Sequence, residues 1–230
     1  LVVVKPGATL TIDPGTILIG REGTGVNTSY MVVDKGGNIM AEGTAEAPIV
    51  FTSEVAYDGG TAAWGQWGGL TLIGHASNSQ VGPYEVNSAF TADDSDPADN
   101  SGVLRYVDIL NSGITMEQDK EINGLSLVGV GSGTTVSGIT VNRSGDDAVE
   151  IWGGHVNLAN VTIVDTGDDG FDTDDGWAGS VTNLSVSGAT NSGLELSGTT
   201  HATYDTVTID TTGAVALDDV GGAIYLKKTG

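Results

Sequence analysis

The sequence predicts an all-β fold: a right-handed, single-stranded parallel β-helix with about 22–23 residues and three short strands per coil. Two observations carry this expectation. Ile139, Val161, Leu184 and Val207 recur at steps of 22, 23 and 23, each inside a strand-like run (GITV, NVTIV, NLSV, TVTI). A second apolar column, Val149, Phe171, Leu194 and Leu217, keeps the same steps, with an acidic column, Glu150, Asp172, Glu195 and Asp218, one residue further on. A repeat of this length built only from strand signals marks a solenoid whose coils stack on one another. Side chains alternate in and out along a strand, so if Phe171 points inward, Asp172 points outward.

Composition agrees with the repeat. The 230 residues are 39% hydrophobic and include 36 glycines, enough for a continuous core of short strands and tight bends. No cysteine is present, which excludes disulfides and thiolate chemistry. Eight Lys+Arg against thirty Asp+Glu give a formal charge of −22. Such a surface repels nucleic acid and anionic lipid and attracts divalent cations. No run approaches the ~18 apolar residues of a spanning helix, so neither nucleic acid nor membrane insertion is expected. Leu1 opens neither with an initiator Met nor with a signal segment, and the expectation is a mature or excised piece of a longer precursor.

Along the chain, the first hundred residues give strand pieces (TLTI, TILIG, YMVV, IVFTS, GLTLIG) between turn signals such as Lys5-Pro6-Gly7 and Asp13-Pro14-Gly15. Two polar, Gly-rich interruptions, at about 54–66 and 75–101, read as loops thrown out from one β-helix domain spanning 1–230, since solenoid insertions map to the bends. From Gly102 the coil resumes and reaches the four clear rungs. Both ends read as strands without caps (LVVV and AIYLKKTG). Two expectations follow: a piece of a longer β-helix, or self-association of copies end to end through the coil ends.

The segments VVVKPGATLTIDPGTILIG, IMAEGTAEAPIVFTS, WGQWGGLTLIG, SGVLRYVDI, INGLSLVGVGSGTTV, SGDDAVEIWGG and DTGDDGFDTDDGWAGSV occur in that order. Over about residues 1–180 they resemble a family of exported bacterial right-handed β-helix surface proteins and lipoproteins of unassigned function. The resemblance implies fold and an extracellular or cell-surface location. It implies no common activity, and without a lipobox cysteine it does not support membrane anchoring.

The densest polar constellation is Asp146, Asp147, Glu150, Asp168, Asp169, Asp172, Asp174 and Asp175. Carboxylates one rung apart, ~4.8 Å, repel by roughly 3–4 kcal/mol at an effective dielectric of 20. Either the acids form a solvated face, or a hard cation relieves them. Ca²⁺ takes six to eight oxygen ligands and suits this set. With no thiolate and only His155 nearby, zinc does not. The loop acids Asp93, Asp94, Asp96 and Asp99 lack EF-hand spacing. Asn160 and Asn183 share a corner column and are expected to bond to each other.

Catalysis is not the expected role. The stretch around Asp146-Asp147 resembles the Asp-Asp strand of polygalacturonases, which pair carboxylates for hydrolysis. The Gly-His-Gly and Arg-Ile-Lys motifs of that family are missing, however, and Arg143 is the one arginine near the acids. Trp64, Trp67, Trp152 and Trp177 lie beside glycines, where a ring covers a corner or stacks on a glycan. His75 and His201 show no partner at motif spacing and read as surface residues. The expected function is a non-catalytic extracellular surface element (a stalk, adhesin module or filament subunit) stabilised by calcium. A carbohydrate-binding module or a polysaccharide-degrading enzyme is the alternative.

Overall fold

In a computed structural model, residues 1–77, 89–117, 120–197, 201–210 and 215–220 are described. The AIYLKKTG end and part of the interruption at 75–101 therefore lie outside the described residues. Eight parallel strands stack into one sheet: Val2–Val4, Met31–Val33, Leu70–Ile73, Leu125–Val128, Val149–Trp152, Phe171–Asp174, Ser192–Ser197 and Val215–Val220. Each opens one coil, and we number the coils one to eight by these strands. Seven steps of ~4.8 Å make a stack ~34 Å long. This is a right-handed parallel β-helix, as the repeat predicts. Among the described residues no helix is long and apolar enough to cross a membrane.

The other two strands of each later coil run as one bent strand. Gly102–Ser112, Thr135–Ser144, Asn157–Thr166, Ser180–Ala189 and Thr203–Asp210 stack in register, with Ile139 opposite Val161, Val161 opposite Leu184, and Leu184 opposite Val207. In coils one and two the two halves are separate: Thr9–Ile12 and Ile17–Gly20, then Asn38–Glu42 and Ile49–Ser53. The bend comes from one residue per strand in left-handed backbone: Tyr106, Gly138, Asn160, Asn183 and Thr206, φ 48–66°. Asn tolerates that region because its short amide bonds locally, and Asn183 Nδ2 donates to Asn160 Oδ1 at 2.9 Å, the ladder expected from sequence. A second left-handed column, Asn111, Arg143, Asp165 and Gly188, turns the next corner.

The inward columns form one core. Leu70, Leu72, Leu125, Leu127, Val149, Ile151 and Phe171 face Leu104, Val107, Ile109, Ile139, Val161 and Ile163, all essentially inaccessible. Aromatic groups fill the wider coils. Phe51 and Trp67 stack at 6.3 Å, and Phe171, Trp177 and Tyr204 meet edge-on or tilted at 5.9–6.5 Å.

A second apolar cluster lies on the outer side of the first sheet. Val32, Ile73, Val128 and Trp152 pack there with Tyr30, Phe90, Ala92 and Ile122. Phe90 and Ala92 come from the segment that leaves the coil after Ile73, and Ile122 from the hairpin Ile114–Glu117/Lys120–Ile122. A clamp fixes the first segment: Asp93 receives Lys35 Nζ at 2.8 Å, Ser95 Oγ at 2.6 Å and His75 Nδ1 at 2.9 Å. The Lys35 hydrogen bond, then those of Ser95 and His75, hold the Asp93 carboxyl well below the usual range. His75 therefore has an acidic partner far along the chain, a pairing that motif spacing could not reveal. His201 is exposed, as expected.

Candidate metal centre

Two outward positions repeat coil after coil and build the site. The register places Ser126, Glu150, Asp172, Glu195 and Asp218 in one column of the first sheet. Three residues before each of the first four stand Asn123, Asp147, Asp169 and Ser192. Backbone amides of the next coil hold the carboxylates of this second column: Asp169 N–H donates to Asp147 Oδ1 at 2.9 Å, and Ser192 N–H to Asp169 Oδ1 at 2.5 Å. Asn123 Nδ2 donates to Glu150 Oε2. Gly170 makes the close turn possible, because a Cβ there would lie 2.3 Å from Val186 Cγ1 and 2.6 Å from the Gly193 carbonyl.

The acids point out of the coil, yet they are not solvated. Asp147, Glu150, Asp169 and Asp172 are 5–8% exposed. Asp147, Glu150 and Asp172 bring carboxylate oxygens within 4.8 Å of one another; Asp146, Asp147 and Asp168 form a second such group nearer the surface. Asp172 Oδ1 is buried with no hydrogen-bond partner in the protein. A buried charge without a partner is costly, and the acids respond accordingly. Burial, then the charges of Glu195, Asp174 and Asp169, push Asp172 up to about 8. Burial and a carboxyl–carboxyl contact with Glu195 push Asp169 up to about 7. Asp147 is raised well above the usual range by burial, then by the charges of Asp172 and Asp146. Asp168 is also raised by burial.

Of the eight acids singled out from sequence, five therefore fall into the two groups. Asp169 lies in the same ladder, one coil beyond Asp147. Asp174 and Asp175 form a turn instead: Asp175 N–H bonds to Asp174 Oδ1 at 2.9 Å, and Asp175 adopts φ 53°. Asn123 joins the site without having been singled out. The signal was its place in the column, one coil before Asp147.

The donor set is all oxygen, anionic, partly held by backbone amides and missing a positive partner at Asp172 Oδ1. Such a set fits a hard divalent cation, and the acid cluster could hold a metal ion through Asp147, Glu150 and Asp172. Two further outcomes concern other candidate residues. Trp67, Trp152 and Trp177 are 0–6% exposed and lie in the two cores, with Trp67 Nε1 donating to the Leu110 carbonyl and Trp177 Nε1 to that of Val156. Only Trp64 of the four, at 43% exposed, presents a ring to solvent. The loop acids serve the loop: Asp96 Oδ1 accepts from Ala98 N–H, and Asp99 Oδ2 from Ser101.

A parallel β-helix with an acid ladder on the outside of one sheet defines the class, and a surface or polysaccharide-related role is in keeping with it. The match to a family model is specific: residues 1–219 fit the pectate-lyase like beta helix domain, and the chain belongs to that family. No curated protein and no solved structure matches the chain.

Proposed function

We propose that this chain is a rigid, non-catalytic element of an extracellular bacterial surface, a stalk, adhesin module or filament subunit, braced by Ca²⁺ bound between coils five and six. The observation that carries the reading is Asp172 Oδ1, buried and unpartnered beside Asp147 and Glu150. A cation there converts mutual repulsion between stacked coils into a cross-link, and by mass action adds about 2.7 kcal/mol when free ion is a hundred times its dissociation constant. End-to-end stacking belongs to the same reading. Leu1, Val2 and Leu217, all exposed, are the surfaces it would use. Its check is electron microscopy, with filaments expected to disappear when Leu1–Val4 is deleted.

The test of the calcium brace is the melting temperature of EDTA-treated protein with and without millimolar Ca²⁺, with Mg²⁺ as control. A selective rise with Ca²⁺, weakened in Asp172→Asn and Asp169→Asn but not in Asp94→Asn, supports the reading. Equal responses in all three variants, or to both ions, would reduce the cluster to a diffuse charge effect. A second reading rests on Asp169 and Asp172 holding protons near neutrality, a property shared with general acids of glycosidases. Release of sugar products, abolished by Asp169→Ala, would favour it.

A further inference from the structure

On the long strands, away from the sheet that carries the acid ladder, the second corner opens into a cleft of about 310 Å³. Its volume is at the lower end of small-molecule sites, about 300–1,000 Å³. The short helix Glu54–Tyr57, capped by Ser53 Oγ on Ala56 N–H, brings Tyr57 to the rim. Ile17 forms the other side, and both side chains are large, apolar-faced and about half exposed. The lining also holds Asn111, Asn142 and Arg143.

Two features of this lining call for a ligand. The side-chain oxygens of Asn111 and Asn142 are both buried without a hydrogen-bond partner in the protein. Asn111 is only 3% exposed, and its Nδ2 is committed to Thr52 Oγ1 at 3.3 Å. A buried amide left half-paired is unfavourable unless something donates to it. The second feature is Arg143. In the left-handed column Asn111, Arg143, Asp165, Gly188, three residues are of types that tolerate this backbone, whereas Arg143 holds φ 64° against its preference. Strain of this kind gathers where a side chain is needed. Arg143 Nε sits 3.5 Å from Asp165 Oδ2, which balances its charge and leaves the guanidinium edge 42% exposed at the cleft.

We infer that this cleft binds a neutral sugar ring. The Asn111 and Asn142 oxygens accept from ligand hydroxyls, Arg143 donates to a hydroxyl or ring oxygen, and the C–H face of the ring rests on Tyr57 and Ile17. An anionic sugar fits less well, because Asp165 already compensates Arg143 and the chain carries −22 overall. The site shares no residue with the proposed cation centre.

The experiment is calorimetry and saturation-transfer NMR in EDTA, with glucose-, mannose- and galactose-based tetrasaccharides as probes and tetragalacturonate as the acidic comparator. At least one neutral tetrasaccharide is expected to bind. Tyr57→Ala and Arg143→Gly are each expected to weaken it about tenfold or more, about 1.4 kcal/mol, and Tyr106→Ala to leave it unchanged. Arg143→Gly is also expected to raise the melting temperature, since glycine adopts this backbone without strain. That separates a ligand role from a structural one. If Tyr57→Ala is poorly folded, Asn142→Ala replaces it with the same expectation. Failure of all neutral probes at millimolar concentration, binding of tetragalacturonate alone, or binding that survives both variants would overturn the inference.

Discussion

Replacing Asp172 by Asn tests the physics of the acid ladder most sharply, because the charge goes while shape and volume stay. Without a cation, the folded protein holds the Asp172 proton up to about pH 8, whereas the unfolded chain releases it near 3.8. Between these values the folded state binds more protons than the unfolded one, so stability falls as pH rises across that window. Taken alone, the shift corresponds to roughly 5–6 kcal/mol once pH exceeds both values. Neighbouring Glu195, Asp169 and Asp174 contribute to the same repulsion. One substitution therefore recovers only part of it, on the order of 2–3 kcal/mol. For a chain of this size that is roughly 4–12 °C in melting temperature. The assay is thermal melting in EDTA at pH 5 and pH 8. Asp172→Asn is expected to melt several degrees above wild type at pH 8, to approach it at pH 5, and to lose the response to calcium. A variant that melts lower than wild type by the same amount at both pH values would refute the reasoning, since it would make Asp172 an ordinary structural acceptor.

Further outcomes follow from the same geometry. Wild-type protein in EDTA is expected to lose stability steadily from about pH 4 to pH 8, through Asp147, Asp169 and Asp172, and millimolar calcium should flatten that slope in the same melts. Gly170→Ala places a methyl against Val186 and the Gly193 carbonyl, and is expected to cost about 1–3 kcal/mol in urea unfolding. Trp177→Ala removes a fully buried ring packed on Phe171 and Tyr204, at an expected cost of about 3–5 kcal/mol in the same assay. Asp93→Asn should speed amide exchange in the segment from Ala89 to Ser101 by loosening the clamp with Lys35 and His75, without changing the calcium response.

The fold was legible because a solenoid writes its register into the sequence. The repeated steps from Ile139 to Val207 and from Val149 to Leu217 are the strand pairings themselves. The first half was harder to read, since coils two and three carry the insertions: the strands that open coils two, three and four begin as far apart as Met31, Leu70 and Leu125. The acidic column was equally legible, but not its burial. Alternation says that Asp172 points out of the coil; only tertiary packing says that outward is not the same as wet. The tryptophans show the converse. Their glycine neighbours suggested exposed corners, whereas three of the four rings fill space inside, at coils widened enough to need them. The pairing of His75 with Asp93 and the Asn111–Asn142 cleft depend on an insertion folding back, and no local pattern encodes that.

The central claim is that a divalent cation joins coils five and six, and a crystal structure grown in millimolar calcium tests it most directly. The account predicts a single strong peak in the anomalous map, with oxygens of Asp147, Glu150 and Asp172 at about 2.3–2.6 Å from it. Carboxyl groups bonded to one another through shared protons, with only water between them, would contradict it.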